Sequence, residues 1–162
     1  MALNGYLTVE GDRQGNIEGD SQRSGYEGMM EIHGWSHEVS SPRDAATGLP
    51  TGRRQHKPLT VTKPVDKASP LLMGALTTNE NLSSVVLRCV APSADGSEEQ
   101  YYTIELVNAT VSNIRQEQLN NKYPENMPHE VREHVSFAYQ RIVWVHEVSS
   151  TSAEDDWSDS RA

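Results

Sequence analysis

Between Val131 and Val145 the side chains first alternate and then turn apolar on both sides, and a chain carrying that pattern is committed to a sheet fold covered unequally along its length. Val131, Val135, Phe137, Tyr139, Val143 and Val145 share one parity, while Arg132, His134, Ser136 and Gln140 take the other. A period of two places the first set on a core face and the second toward water. From Ile142 onward the polar parity ends, because Ile142 and Trp144 now stand beside Val143 and Val145. That end of the strand therefore needs cover on both faces, as a strand inside a layered fold does. Burying Ile142 and Trp144 contributes roughly 2–3 kcal/mol each, and the cover can come from a helix of the same chain or from a neighbouring subunit.

The rest of the chain continues the same theme. With 162 residues, 11 glycines, 8 prolines and 35% hydrophobic residues, it suits one turn-rich, mainly β domain over residues 1–148, followed by an acidic tail at 149–162. Strands are expected at Gly5–Glu10, from Met29 to Val39, at Leu59–Lys63, and at 82–90, 100–109 and 111–118. In the second of these, Met29, Trp35 and Val39 fall on one face and Met30 and Ile32 on the other. Gly11-Asp-Arg-Gln-Gly15 and Asp95-Gly96 are turn signals. A single short helix over 70–78 follows Ser69-Pro70, with Ser69 as its cap and Leu72, Ala75 and Leu76 as its buried stripe. The fold class is an antiparallel β-barrel or two-sheet sandwich with one packed helix and a long extended loop.

That loop runs from His37 to Leu72, far longer than an ordinary connection. From Val39 on it carries Arg43, Arg53, Arg54, Lys57, Lys63 and Lys67 against Asp44 and Asp66, a local balance of +4, leaving −13 for the remainder of a chain whose net charge is −9. A basic arm at 40–57 on an acidic body suits docking onto copies of the same chain. It does not suit nucleic acid, since the body repels phosphate and the arm lacks interleaved aromatics.

Chemistry is harder to find. Cys89, the only cysteine, sits in the apolar run Val85–Val90, the setting of a small core residue. His33 and His37 would lie about 13 Å apart on a strand, too far to share an ion. His129-Glu-Val-Arg-Glu-His134 is one residue too long for the two-histidine zinc motif of a helix. No phosphate loop, nucleophile elbow or paired-cysteine spacing occurs, so no catalytic centre, metal or cofactor is expected. The opening MALNGYLTVEGDRQG lacks a basic start and an apolar run, which predicts synthesis in the cytoplasm and export without a signal peptide. No segment suits membrane insertion. The tail, with Glu154, Asp155, Asp156 and Asp159, reads as a solvated, frayed end, apart from Trp157, which can dock on its own subunit or the next.

The order of motifs along the arm carries a family resemblance. His37-x-Val39-x-x-Pro42-x-Asp44-x-x-Thr47-Gly48-x-x-x-Gly52-x-Arg54-x-His56-x-Pro58, then Lys63, Asp66 and Ser69-Pro70-x-Leu72, resembles the haemolysin-coregulated protein (Hcp) family of type VI secretion. Tyr6-Leu7 with Gly11-x-x-Gln14-Gly15-x-Ile17-x-Gly19, Glu105–Ala109 and Val135–Trp144 extend the likeness across about Tyr6 to Trp144. The resemblance implies a tube subunit that forms homohexameric rings stacked head to tail, with type VI spike and sheath components and effector proteins as partners, secreted and doing no chemistry. Pro42, Arg43, Asp44, Thr47, Gly48, Arg53, Arg54, His56, Ile142, Trp144 and Trp157 are the expected interface residues. Two alternatives remain at this level. One is a monomeric β-barrel binding a ligand or peptide under the arm as a lid; the other is a metal-dependent hydrolase using His129, Glu130 and His134.

Overall fold

The computed structural model describes residues 3–158. In chain order its elements are β1 (Asn4–Gly11), β2 (Gly15–Ile17), β3 (Met30–Ile32), β4 (Gly34–Ser36), β5 (Val39–Ser40), β6 (Gln55–His56), β7 (Leu59–Pro64), α1 (Ser69–Thr77), β8 (Leu82–Pro92), β9 (Glu98–Glu117), a 3-10 turn at Pro124–Asn126, β10 (Arg132–His146) and β11 (Thr151–Asp156). The main sheet runs β2-β1-β8-β9-β10-β7-β4, with β3 on β1 and β11 on β10, and every pairing is antiparallel. It is the expected mainly antiparallel β fold with one helix. No helix among the described residues is long and apolar enough to cross a membrane.

The sheet curls because its inner face changes parity along one line. Leu82, Ala109 and Tyr139 are mutually aligned core residues, and so are Val85, Leu106 and Ile142, yet these rows are three residues apart rather than two. On β9 the change falls beside Asn108, whose φ of 51° lies in the left-handed region that asparagine tolerates, and the register with β8 and β10 is the same on either side of it. β1 keeps strict alternation through Leu7, Val9 and Gly11, so its register against β8 slips between Glu10 and Gly11. The core then closes on Leu7, Leu59, Val61, Leu87, Leu106, Phe137 and Ile142, with Leu72 and Ala75 of α1 laid against it.

Several expectations are corrected. The stretch from Met29 to Val39 is not one strand: β3 lies on β1, His33 N–H bonds to Thr62 C=O at 2.8 Å, and β4 continues on β7. Because the segment steps from one edge of the sheet to the other, its faces are not preserved. Met30 and Ile32 are buried, while Trp35 and Val39 are exposed. The strands expected at 100–109 and 111–118 are one, β9, since the bend at Asn108 leaves the pairing with β10 intact.

Ser69 does not cap α1. Ala68 takes that position, and the Asp66 carboxylate accepts its backbone N–H at 3.0 Å. The Ser69 hydroxyl is buried and donates instead to Glu133 at 2.7 Å. Glu133 also accepts from Lys63 Nζ at 2.6 Å and from Gln116 at 2.9 Å, and Lys63 and Glu133 both have 0% exposure. Val131, expected in the core, is 42% exposed.

The acidic tail is not frayed over its described part. β11 pairs with Arg141–His146 of β10, and Arg141 is bonded to Glu154. Asp159 and Arg161 lie outside the described residues. Ile142 is fully buried within its own chain and Trp144 packs on the core. Ile142 is therefore covered by its own chain and unavailable to a neighbouring subunit, whereas Val143 and Val145, expected on the core face, are only half-buried because the inner parity has passed to Ile142.

Candidate assembly surface

Along one side β10 is paired with β9 over its whole length, whereas its other side is divided. β7 takes residues 132–137 and β11 takes 141–146. Tyr139 lies in the gap between them, and the arm's base is fastened there. β5 and β6 form a two-stranded ribbon, Val39 opposite His56 and Ser40 opposite Gln55, continued by Lys57 N–H to Glu38 C=O at 3.0 Å.

The ribbon leads into a loop that its own hydrogen bonds hold in shape. Thr51 N–H reaches Pro42 C=O at 3.0 Å, and Asp44 N–H reaches Leu49 C=O at 2.8 Å. The Asp44 carboxylate accepts from Ala46 N–H at 2.8 Å, closing an Asx turn. Thr47 Oγ1 accepts from Leu49 N–H at 3.4 Å. Gly48, with φ of 73°, supplies the left-handed residue that closes the reversal. Arg43 bridges to Pro50 through the backbone and donates to Gly48 C=O. Pro42 is half-buried, and every residue from Arg43 to Arg53 is exposed. The structure thus sets Pro42, Arg43, Asp44, Thr47, Gly48 and Arg53 together on a pre-shaped arm of the folded chain.

Arg54 and His56, expected to reach outward, turn inward instead. Arg54 Nη2 donates to Asp155 Oδ1 and to Asp156 C=O, both at 2.9 Å. His56 Nε2 lies 2.6 Å from Asp155 Oδ2, and its Nδ1 lies 2.8 Å from the Tyr139 hydroxyl. The same hydroxyl is 2.7 Å from His37 Nε2, and the His37 ring tilts over Trp144 at 6.1 Å. The guanidinium of Arg54, helped by His56, holds the Asp155 carboxyl below the usual range against the opposing effect of burial. Burial, and then the proximity of His56, lowers the His37 pKa; burial, and then Asp155, raises that of Tyr139. A groove of about 410 Å³ opens beside this cluster between Arg53, Lys57, Pro58 and Trp157. Trp157 is 54% exposed there.

Of this cluster, sequence reading missed Tyr139 as the hub and Asp155 as the anchor. Tyr139 carried a weak signal, a hydroxyl on an apolar parity that must find partners once buried. Asp155 carried none, because TSAEDD has no alternation to mark it as a strand. His129, Glu130 and His134 are not gathered into a metal site, and no group of three potential ligands occurs among the described residues.

What the fold presents is an antiparallel sheet with one packed helix and an exposed basic arm held in shape by its own hydrogen bonds. Residues 6–146 match the family of the type VI secretion system effector Hcp, and the chain belongs to that family. It is similar to the major exported protein of Pseudomonas aeruginosa, with 41% identity across 97% of this chain and 96% of that one. The crystal structure of an Hcp protein superposes with a TM-score of 0.91 at 33% identity, covering 96% of this chain and 98% of the other. The secreted protein Hcp3 of P. aeruginosa does so with a TM-score of 0.80 at 34% identity, covering 99% and 100%. Hcp proteins are not a family of enzymes.

Proposed function

We propose that this chain is the building block of the type VI secretion inner tube: six copies close a ring, rings stack head to tail, and effector proteins travel in the channel. The subunit is made in the cytoplasm and leaves the cell folded, engaging spike and sheath components on the way. Membership of the Hcp family supports the reading. The observation that carries it is the arm, whose residues from Arg43 to Arg53 are all exposed yet locally hydrogen-bonded in a shape suited to entering a neighbour. An exposed excursion of that length, held in shape by its own hydrogen bonds, is a surface awaiting a partner, and the +3 charge of residues 40–57 suits the acidic body of an identical copy.

Negative-stain imaging and sedimentation of the purified protein test the proposal. Six-fold rings with a central hole, sedimenting near six times the chain mass, are expected. A single compact chain at all concentrations would overturn it.

A further inference from the structure

We propose that the base of the arm is a one-proton latch, in which His37, Tyr139 and His56 hold the arm to β10 and β11 while at most one of the two imidazoles is charged, and release it when both are. Asp155 is an acceptor already engaged by Arg54, so His56 Nε2 carries a hydrogen and donates it to the carboxylate. With His56 neutral, its Nδ1 is an acceptor and the Tyr139 O–H points to it. The Tyr139 oxygen then accepts from His37 Nε2–H. The result is a directed chain from His37 through Tyr139 and His56 to Asp155, each link between 2.6 and 2.8 Å.

One added proton fits. Placed on His37 Nδ1 it disturbs no link. Placed on His56 Nδ1, it reverses the middle of the chain: His56 donates to Tyr139, whose O–H turns to His37 Nε2. A second proton does not fit. Both imidazoles then direct N–H groups at the Tyr139 oxygen, whose own hydrogen has no acceptor left among them, and Tyr139 is only 8% exposed. Two cations also then face each other across one hydroxyl.

The other charged groups of the cluster bear on the same balance. Asp155 on β11, and Arg54, Arg53 and Lys57 on the arm, border His56 or its groove. Asp156 on β11 is turned away, its carboxylate bonded to Ser158 and Gln140. Three arm cations near the histidines leave Asp155 as the negative charge bonded to His56. His37 has a folded pKa lowered from 6.5, so it binds its proton more readily when released. The latch is therefore whole above about pH 6.5 and weakens as pH falls through the lower folded value. Asp155, also lowered, from 3.8, stays ionised over that range, so His37 takes its proton before Asp155 does.

The latch belongs to the folded chain itself and stands or falls separately from ring formation. Hydrogen exchange at the Lys57 amide, together with imidazole NMR titration of the full chain, tests it. In the wild type one proton should enter with the arm still held. The second should enter at lower pH, with loss of about ten- to a hundredfold in Lys57 protection, the size expected when a hydrogen bond to a charged group is lost, while Leu87 and Leu106 stay protected. In His37→Gln, which bonds to Tyr139 but takes no proton, that loss should move to the titration of Asp155. Release of the His37→Gln arm at the wild-type pH would overturn the latch. So would two wild-type histidines titrating independently while Lys57 protection stays flat down to pH 4.5.

Discussion

Lys63 and Glu133 face each other across β7 and β10 with no exposure on either side chain. Such a pair stabilises little against an apolar replacement but is costly to break, because the survivor is left charged and dry. Lys63→Met alone is expected to destabilise by about 3–5 kcal/mol in denaturant unfolding of the disassembled chain. Lys63→Met with Glu133→Leu should recover part of that, the remainder being the cost to Asp66, whose carboxylate also accepts from Lys63 Nζ at 2.8 Å. Burial tends to raise the Glu133 carboxyl, but Lys63, Gln116 and Ser69 outweigh it and set it below its ordinary 4.5. Its contribution is thus intact above about pH 4.5 and lost as pH falls through the lower folded value. The wild-type melting temperature should drop over that interval more steeply than that of the double variant. The signal was legible in part: Lys63 shares parity with Leu59 and Val61, and Glu133 with Val135 and Phe137. What alternation does not disclose is register, and only register sets the two opposite each other. Ser69 shows the same limit, since its helix-capping habit yields to a buried carboxylate contributed from 64 residues away.

Among the elements, the long strands were readable and the short ones were not. β8, β9 and β10 carry enough alternating residues to declare themselves, and α1 announces itself with Ser-Pro and a buried stripe. The three-residue strands β3 and β4 gave a false continuous pattern because the segment changes partner at His33. β11 gave no pattern, being an edge strand held by β10 and by salt bridges. The parity change across β8, β9 and β10 lies between these cases, visible as Leu106–Ala109 and Tyr139–Ile142 spacings only once the strands are aligned. On β9 the change falls beside Asn108. Asn108→Ala should cost about 1–2 kcal/mol, the penalty of a left-handed residue without a compensating side chain, whereas Asn108→Gly should be close to neutral. Thermal melting of the two variants beside the wild type checks this.

At the scale of the whole molecule, the arm divides into a tip that faces away and a base that is tied down. Arg43 belongs to the tip, so Arg43→Glu should leave the chain folded and weaken stacking of rings. That effect should shrink as salt rises, since exposed charges are screened beyond about 8 Å at physiological ionic strength. Sedimentation of both proteins across a salt series measures it. Arg54 belongs to the base, and its reversal should loosen the arm in the isolated chain as well. The basic stretch was plain in the sequence, but its division was not, because it depends on Tyr139 and Asp155, which composition places elsewhere. The side-chain hydrogen bonds of His37, Arg54 and His56 described above reach groups 83 to 102 residues further along. During translation the arm therefore emerges long before anything exists to fasten it, and its orientation is settled only as the last strand leaves the ribosome, which postpones encounters between subunits until each chain is nearly finished.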